Sequence, residues 1–315
     1  MPLDLTGNEL LILRQVVPLE PDWPKFNINK AVKRSNATSK YVSFGRVTIM
    51  FKEQNSADVG IIGGTGVYDP NIFQDMKDVK ISTPYGMPSH FLSLGRYKET
   101  RVAFVPRHGR DHSIPPHRIN YRANIFALKQ LGVKRVISVS SVGSLRENLR
   151  PGEFVFPDQF IDRTKDRIDT FFDGGKVAHV SSADPFCPVM RGVLSKCSDA
   201  TSIPSHGSST YVCIQGPRFS SRAESKLFRQ WGADVVGMTM YPEVILAREA
   251  ELCYACISMV TDYDVWADKP VTAETVASVM KKNVENAKKL ITSAIDSMPA
   301  ERNCPCGHAL EGAML

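Results

Sequence analysis

The sequence predicts a single α/β domain, and three observations lead to that fold class. From Asp58 onward, short apolar runs end in glycine or polar clusters and alternate with longer amphipathic stretches. The apolar runs are nearly continuous, which favours strands buried between layers of helices. The chain of 315 residues is 43% hydrophobic and 23% charged, the composition of a globular protein that can bury a large core.

Four strands and four helices follow from these patterns. The helical segments carry apolar residues at spacings of three to four, and the last of them is rich in Lys and Ala. The predicted strands are Val59–Ile62, Val102–Val105, Arg135–Val139 and Phe154–Phe156, and the predicted helices cover roughly residues 120–131, 222–231, 242–252 and 272–296.

Composition divides the chain into three parts. Residues 1–57 have scattered Pro and Lys and weak periodicity, so we expect an extension that is partly disordered or binds a partner. Residues 58–299 form the predicted domain. Residues 300–315 form a C-terminal tail that contains Cys304-Pro305-Cys306.

The net charge of +6 does not indicate a nucleic-acid-binding protein. Residues 1–57 hold eight Lys or Arg against five Asp or Glu, so half of the charge lies in the extension. No basic run with interleaved aromatics follows it. No apolar run reaches the roughly 20 residues that cross a bilayer, and no secretory signal begins the chain. We therefore expect a cytoplasmic protein that binds neither nucleic acid nor membranes.

Glycines follow the first predicted strand, in Gly63-Gly64-Thr65-Gly66. A turn without side chains lets backbone amides converge on an anion, and Thr65 adds a hydroxyl. The segment lacks the third glycine of a dinucleotide fingerprint and the Lys of a P-loop. By itself it therefore fits either an anion-binding loop or a plain turn.

Anion-binding groups also follow the next two strands. Arg107 and His108 come after the second strand; a planar guanidinium can hold two phosphate oxygens, and an imidazole can donate a third hydrogen bond. The third strand ends in Ser138–Ser144, a run of hydroxyls and glycine that we expect to form a loop. Open α/β sheets bind ligands at the carboxyl ends of their strands, so three such loops predict one shared phosphate site. The loop that carries Arg107 and His108 also fits, by itself, a solvated polar loop.

Two later segments supply groups for a ring and a proton. Phe219 follows Gly216-Pro217-Arg218 in a turn that leads into a helix, where it offers either a flat surface for a base or a core side chain. Asp262 and Asp264 end an apolar strand, and period-two geometry points both carboxylates the same way. Neighbouring carboxylates raise at least one pKa, which lets a carboxyl donate a proton near neutral pH. A metal site or a solvated loop would explain the same pair.

Seven cysteines lack the His or Cys spacing of a tetrahedral zinc site, and no metal is expected. Cys304 and Cys306, one residue apart, form either a strained disulfide or half of a metal clamp. The other five cysteines are expected to be buried or free thiols. They are Cys187, Cys197, Cys213, Cys253 and Cys256.

Taken together, these motifs resemble the purine nucleoside phosphorylase superfamily, and within it the 5'-methylthioadenosine phosphorylases. The resemblance runs from about Val59 to about Met298. It rests on Gly63–Gly66, Arg107-His108-Gly109, Gly216–Glu224, Gly237–Glu243 and Thr261–Asp264. It implies a nucleoside phosphorylase fold with a central mixed sheet flanked by helices.

The resemblance also implies roles for individual residues. Phosphate would be surrounded by Thr65, Arg107, His108, Ser140, Ser141 and Thr239. Met238 would contact the ribose and Phe219 the base, and His179 would complete the 5' side of a neighbouring subunit's pocket. At Ser140 the family often has threonine, and the retained hydroxyl is expected to preserve phosphate binding.

Quaternary structure and disulfides are further implications of the resemblance. The family forms trimers, which some archaeal members pair into hexamers. The Cys304-Pro305-Cys306 tail resembles that of heat-adapted archaeal relatives, in which disulfides brace the fold, and Cys187 with Cys253 is the expected additional pair.

The implied reaction is phosphorolysis of methylthioadenosine to adenine and 5-methylthioribose 1-phosphate. Phosphate is then a co-substrate, no cofactor is needed, and Asp262 is the general acid with Asp264 beside it. Two carboxylates facing the base favour a 6-amino group over a 6-carbonyl. Three alternatives remain: a phosphorylase for 6-oxopurine nucleosides such as inosine and guanosine, a nucleosidase that uses water, and a non-catalytic nucleotide-binding module.

Overall fold

The computed structural model describes residues 32–36, 39–44, 47–52, 55–64, 67, 72–267 and 272–314. The strands within these residues are β1 Val32–Asn36, β2 Ser39–Phe44, β3 Val47–Lys52, β4 Val59–Gly63, β5 Gln74–Val79, β6 Leu92–Tyr97, β7 Thr100–Pro106, β8 Arg135–Ser144, β9 Phe154–Val155, β10 Gln159–Arg163, β11 Ser205–His206, β12 Thr210–Ile214, β13 Val235–Gly237 and β14 Cys253–Asp262. The α-helices are α1 Tyr121–Gln130, α2 Pro188–Ala200, α3 Arg222–Gln230, α4 Met240–Glu249 and α5 Ala273–Ser297. Short 3₁₀ helices cover Pro116–Arg118, Asp264–Trp266 and Pro305–His308.

A mixed sheet built around β8 forms the body of the protein. Its main path runs β10-β12-β13-β8-β4-β7-β6-β5, while β14 pairs with β8 and β9, and β9 pairs with β11. Strand β8 is parallel to β4 and β14 but antiparallel to β13. The expected α/β fold with a mixed sheet is confirmed.

The sheet splits along one edge of β8. Strand β4 pairs with the first part of that edge, up to Ser138, and β13 pairs with its end, at Gly143 and Ser144. The opposite edge of β8 is paired with β14 over nearly its whole length. The residues of β8 between the two partners therefore lie where the sheet opens, and this opening positions the candidate site.

Two apolar clusters cover the two faces of the sheet. Alternate residues of β14 belong to different clusters, Tyr254 to one and Ala255 to the other, as the period-two geometry of a strand requires. Helices α1 and α4 pack on the first face, and α2 and α5 pack on the second. Because both faces are covered, the central strands β4 and β14 are buried along nearly their whole length, which is why they appear in the sequence as nearly continuous apolar runs.

The four predicted strands and four predicted helices are present, with one error at the third strand. Strand β8 continues to Ser144, so the expected loop at Ser138–Ser144 is wrong. The hydroxylic residues stay extended because β14 and then β13 pair with their backbone. Helix α2 was not predicted. Its N-terminus follows Cys187, and Pro188 lies in its first turn, a position that Pro favours.

Two further segments, the expected extension and the C-terminal tail, precede and follow in sequence the residues that form the main sheet. Strands β1, β2 and β3 form a separate antiparallel sheet in the expected extension, and residues 1–31 lie outside the described residues. The C-terminal tail packs against the body, with Cys306 and Ala313 buried and Met314 bridged to Ala178. Across the described part of the chain, no helix combines the length and apolar character needed to cross a membrane.

Candidate active site

A cavity of about 550 Å³ lies where the sheet opens beside β8. A volume in this range accommodates a small organic ligand. Nine of the side chains predicted from sequence line this one cavity: Arg107, His108, Ser140, Ser141, Phe219, Met238, Thr239, Asp262 and Asp264.

Arg107 is held by the buried carboxylate of Glu243, which was not predicted as a site residue. Its Nε and Nη2 donate to the two carboxylate oxygens of Glu243, the Nη2 bond measuring 3.0 Å. Nη2 also donates to Ser138 Oγ at 2.6 Å, and Nη1 donates to the Val139 carbonyl at 2.9 Å. The fork expected to hold two phosphate oxygens is thus directed at Glu243, which corrects the expected geometry. Four of the five guanidinium N–H groups donate hydrogen bonds to these protein atoms. Arg107 therefore contributes mainly its positive charge to the cavity.

The tautomer of His108 is set by a hydrogen bond to the Ile114 carbonyl. Its Nδ1 lies 2.8 Å from the Ile114 carbonyl, which can only accept, so Nδ1 carries the proton. Burial, together with the charge of Arg107, lowers the pKa of His108 to about 4. The ring is therefore neutral near pH 7, and Nε2 is an acceptor instead of the expected donor. It can receive a hydrogen bond from the protonated oxygen of HPO₄²⁻.

Three hydroxyls line the cavity beside these groups. Ser140 and Ser141 come from the stretch of β8 between its two edge partners, and Thr239 precedes α4. Ser140 and Thr239 are buried, and the hydroxyl of Thr239 makes no capping hydrogen bond to its helix. Hydroxyls on the rigid central strand and at a helix N-terminus are suited to binding an oxyanion.

The aspartate pair is aimed into the cavity by an irregularity in β14. The pairing of β14 with β8 shifts register between Val260 and Asp262, and Asp262 then lies opposite Gly143. A Cβ atom at Gly143 would stand 2.9 Å from Asp262 Oδ1, so any side chain there would displace the Asp262 carboxylate. Gly143, the glycine of the predicted hydroxylic segment, therefore leaves the space that the Asp262 carboxylate occupies.

Local hydrogen bonds fix the Asp262 carboxylate, whereas one carboxylate oxygen of Asp264 accepts no hydrogen bond from the described residues. Asp262 Oδ1 accepts from the Asp264 backbone N–H at 2.8 Å, and Oδ2 accepts from the Thr261 hydroxyl at 2.7 Å. Asp264 is buried, with φ of +48°, and its Oδ2 has no hydrogen-bond partner among the described residues. An unpaired buried carboxylate oxygen is costly, so it marks a place where a ligand donor belongs.

Burial raises the pKa of both aspartates. For Asp264, the Ser225 hydroxyl lowers the pKa and the negative charge of Asp262 raises it, and the net effect is a raised pKa. Both shifts favour the protonated form of a carboxyl beside the cavity. The sequence-based expectation of a perturbed carboxylate pair is confirmed in direction, although burial contributes more than the like charge.

Phe219 and Met238 form an apolar surface next to the polar groups. Phe219 is 41% exposed and lines the cavity, so it is not the core side chain that the alternative interpretation required. Gly216 has φ of +63°, and a Cβ there would lie 2.6 Å from Met238 Sδ. A Cβ at Gly216 would therefore displace the Met238 side chain, and the positive φ also favours glycine at this position.

Helix α5 closes the cavity with an apolar face that was not predicted as part of the site. Val276, Met280 and Val284, spaced four residues apart, all line it. The Ser141 hydroxyl contacts Met280 Sδ at 2.9 Å, which places this face beside the hydroxyls of β8. The four-residue spacing was visible in the sequence, but it also fits an ordinary core-facing helix.

Two predicted residues remain to be placed, and His179, the one that the structure describes, does not line this cavity. Thr65 lies outside the described residues, although its neighbour Gly64 lines the cavity. His179 is exposed, and its backbone N–H donates to the Ala313 carbonyl at 2.8 Å. Its expected role in another subunit's site stays a prediction.

No disulfide joins the cysteines in this structure, and the expected pairing stays a prediction. All seven cysteines are free, including Cys187, Cys253, Cys304 and Cys306. The expectation that Cys187 and Cys253 lie together is nevertheless correct, because these two join Cys304 and Cys306 in one cluster.

Comparison with known sequences identifies the family. The profile of the phosphorylase superfamily matches residues 58–296. An S-methyl-5'-thioadenosine phosphorylase of Thermofilum pendens is 57% identical over 257 residues, covering 82% of this chain and 98% of the relative. A protein of the same name from Nitrosopumilus maritimus is 53% identical over 260 residues, covering 82% of this chain and 99% of the relative.

Solved structures agree with the sequence comparison. A methylthioadenosine phosphorylase from an antarctic soil metagenomic library superposes with a TM-score of 0.80 at 46% identity, covering 83% of this chain and 93% of that one. A mutant adenosine/methylthioadenosine phosphorylase from Schistosoma mansoni, in complex with methylthioadenosine, gives 0.77 at 37% identity and covers 82% and 97%. This chain therefore belongs to the phosphorylase superfamily and, within it, to the S-methyl-5'-thioadenosine phosphorylases.

Proposed function

We propose that this chain catalyses the phosphorolysis of S-methyl-5'-thioadenosine, releasing adenine and 5-methylthioribose 1-phosphate. The observation that carries the proposal is that one cavity is lined both by anion-binding groups and by a buried carboxylate pair. A phosphate and a purine can thereby be held on opposite sides of one sugar carbon. The family membership and the methylthioadenosine complex of the S. mansoni relative support the same assignment.

Phosphate is proposed to lie against Ser140, Ser141 and Thr239, with Arg107 and His108 beside them. The hydroxyls donate to phosphate oxygens, and the Arg107 charge attracts the dianion, while Glu243 fixes the guanidinium in place. His108 Nε2 accepts from the remaining P–OH. We also assign Thr65 to this group, from the resemblance alone.

The reaction is proposed as a displacement at the anomeric carbon. A phosphate oxygen forms a bond to this carbon as the bond to purine N9 breaks, and the sugar becomes cation-like in between, as in glycoside hydrolysis. The electron pair of the broken bond stays with the purine. Asp262 gives its proton to N7, so that the base leaves as neutral adenine.

Base recognition is assigned to Phe219, Asp262 and Asp264. Phe219 offers an exposed ring on which the purine can stack, and Asp264 Oδ2 is an unpaired acceptor. An acceptor facing the base welcomes the 6-amino group of adenine and repels a 6-carbonyl. This arrangement favours adenine over hypoxanthine or guanine.

The 5' methylthio group is proposed to lie against the apolar side of the cavity. Met238 is assigned to the ribose. Val276, Met280 and Val284 present an apolar face that suits a thioether better than a hydroxyl.

We further propose a homotrimer, in which the exposed His179 reaches the 5' side of a neighbouring site. Two such trimers paired together give a hexamer, and light scattering coupled to size-exclusion chromatography measures which assembly forms.

A substrate panel tests the function directly. Purified, dialysed protein is incubated with methylthioadenosine, adenosine, inosine or guanosine, each with and without inorganic phosphate, and the free base is measured by chromatography. We expect adenine from methylthioadenosine only when phosphate is present, with no added cofactor. Base release without phosphate would indicate a nucleosidase, preference for inosine or guanosine would indicate a 6-oxopurine phosphorylase, and no release would indicate a binding module.

A further inference from the structure

A buried asparagine on α5 contacts the strand that carries the aspartate pair. Asn283 is fully buried, whereas Lys281 and Lys282 before it are exposed. Its Nδ2 lies 3.0 Å from the carbonyl oxygen of Val260 in β14. A carbonyl can only accept, so the amide donates from the helix to the strand. Burying an amide is costly unless it is hydrogen-bonded, and this bond to Val260 is the one that Asn283 makes.

Val260 lies immediately before the point where β14 changes its register. After Val260 the pairing with β8 shifts, and Asp262 then lies opposite Gly143. The backbone of Val260 is held on the other edge of β14, where its N–H donates to the carbonyl that precedes β9 at 3.0 Å and its carbonyl accepts from Gly152 N–H at 2.9 Å. The bond from Asn283 is the second one to that carbonyl. Asn283 therefore helps to fix the strand where it leaves the regular register.

One residue separates this fixed point from Asp262. The hydroxyl of that residue, Thr261, lies 2.7 Å from Asp262 Oδ2 and 3.2 Å from the Val142 carbonyl oxygen. The bonds that orient the Asp262 carboxylate thus come from residues next to it in the chain, which move with Val260. Displacements of about 1 Å at a reacting centre can reduce a rate about 10²-fold. A loosened Val260 should therefore affect the reaction.

Packing alone does not explain an asparagine at this position. Its Oδ1 accepts no hydrogen bond from the described residues, so only half of the amide is satisfied. A buried amide in that state is less favourable than an apolar side chain of similar size. The residues beside it on the cavity side of α5, Met280 and Val284, are apolar. The polar side chain is therefore better explained by the bond that it donates to Val260.

We propose that Asn283 is a positioning residue for the general acid Asp262 and acts through the Val260 carbonyl. This inference rests on the proposed function, in which Asp262 protonates the leaving base. Asn283 is not among the side chains that line the cavity, so it acts on the acid through the strand and not on the substrate. Helix α5 would then contribute to the chemistry as well as to the cavity wall.

Asn283→Ala, assayed with methylthioadenosine and phosphate, tests the proposal. We expect kcat to fall at least about tenfold because the acid is displaced, with KM for phosphate unchanged. The matched control is Asn124→Ala, since Asn124 is also fully buried and donates from α1 to Ser89 Oγ at 2.9 Å, outside the cavity. Urea unfolding should show a loss of stability in both variants. Only Asn283→Ala should lose kcat.

A double-mutant cycle shows whether the effect passes through the acid. In an Asp262→Asn background, Asn283→Ala should change the remaining kcat by less than about twofold, because the group that it positions is already absent. Asn283→Leu, which fills the space without a donor, gives the same comparison if Asn283→Ala fails to fold.

Three results would overturn the proposal while leaving the proposed function intact. They are full kcat in the Asn283 variants, an equal loss of kcat in Asn124→Ala, and the same fold loss in the unmodified and Asp262→Asn backgrounds. Failure of the proposed function would instead appear in the unmodified chain, as an absence of phosphate-dependent adenine release.

Discussion

Glu243 holds Arg107 in place from within the core, 136 residues away in sequence. Both carboxylate oxygens of Glu243 accept from the guanidinium, and one also accepts from Ser138 Oγ and Tyr254 Oη, each at 2.9 Å. Neither side chain of the pair is more than 2% exposed. A charged pair so deeply buried requires that each partner be present, because either charge alone would face the full cost of desolvation.

Glu243→Gln should therefore destabilise the protein strongly. Removing one partner of a buried ion pair costs about 3–5 kcal/mol, because the other charge is left uncompensated. The matched control is Glu224→Gln, which breaks the pair with Arg218 at the surface, where exposed pairs contribute about 0–1 kcal/mol. Urea unfolding of both variants measures the difference. Equal losses in the two variants would show that burial of the Arg107–Glu243 pair has no special importance.

Asp262→Asn should slow the release of adenine without weakening phosphate binding. Loss of a general acid typically reduces the rate about 10²–10⁴-fold. Burial raises the pKa of Asp262, and the protonated carboxyl is the active form, so kcat/KM of the unmodified enzyme should fall as pH rises through that raised pKa. The asparagine variant should lack this alkaline decrease.

Steady-state kinetics across a pH series measure both effects. Asp173→Asn, which alters an exposed pair with Arg122, is the control and should leave the rate and the pH profile unchanged. An Asp262→Asn variant with unreduced kcat, or with the same alkaline decrease, would contradict the role assigned to this carboxyl.

Gly143→Ala should damage the site while leaving the fold intact. The new methyl group would meet Asp262 Oδ1 at 2.9 Å and Asp264 Cβ at 3.2 Å, which displaces the carboxylates. We expect kcat to fall at least about tenfold, because displacements of about 1 Å at a reacting centre can cost 10²-fold. Gly192→Ala in α2 is the control: its Cβ would meet no atom within 4 Å, and alanine should stabilise the helix by up to about 1 kcal/mol. Full activity in Gly143→Ala would show that a Cβ at this position does not displace the two aspartates.

Phe219→Ala should raise KM for the nucleoside and leave KM for phosphate unchanged. An aromatic contact contributes about 0.5–1.5 kcal/mol beyond its buried area, so an increase of about tenfold is expected. Because Phe219 is 41% exposed, its removal should affect stability little. Phe91→Ala is the matched control, since Phe91 is 43% exposed and does not line the cavity. If both variants bind nucleoside equally well, the base does not stack on Phe219.

The sequence was most informative where chemistry and strand ends coincide. Arg107 and His108 follow a continuous apolar strand, and Asp262 and Asp264 end another, so their meeting at one edge of the sheet could be predicted. Their orientations could not. The fork of Arg107 is directed at Glu243, and the tautomer of His108 is set by the Ile114 carbonyl. Both depend on packing between segments that local patterns do not relate.

The same reason explains what was missed. Residues Ser138–Ser144 resemble a loop in composition, but pairing with β14 and β13 keeps them extended. The cysteine cluster draws its members from three places in the chain, the start of α2, the start of β14 and the tail. Because these segments are far apart in sequence, the short cysteine spacings that mark a zinc finger are absent, and the cluster could not be predicted.

A crystal structure of the chain with sulfate and methylthioadenosine tests the central claim most directly. We predict that both ligands occupy the single cavity beside β8, with sulfate at Ser140, Thr239 and Arg107, and with the adenine edge at Asp262 and Asp264. The ribose would then lie between them. Sulfate and adenine bound in separate cavities, or adenine turned away from the two aspartates, would contradict the proposed reaction.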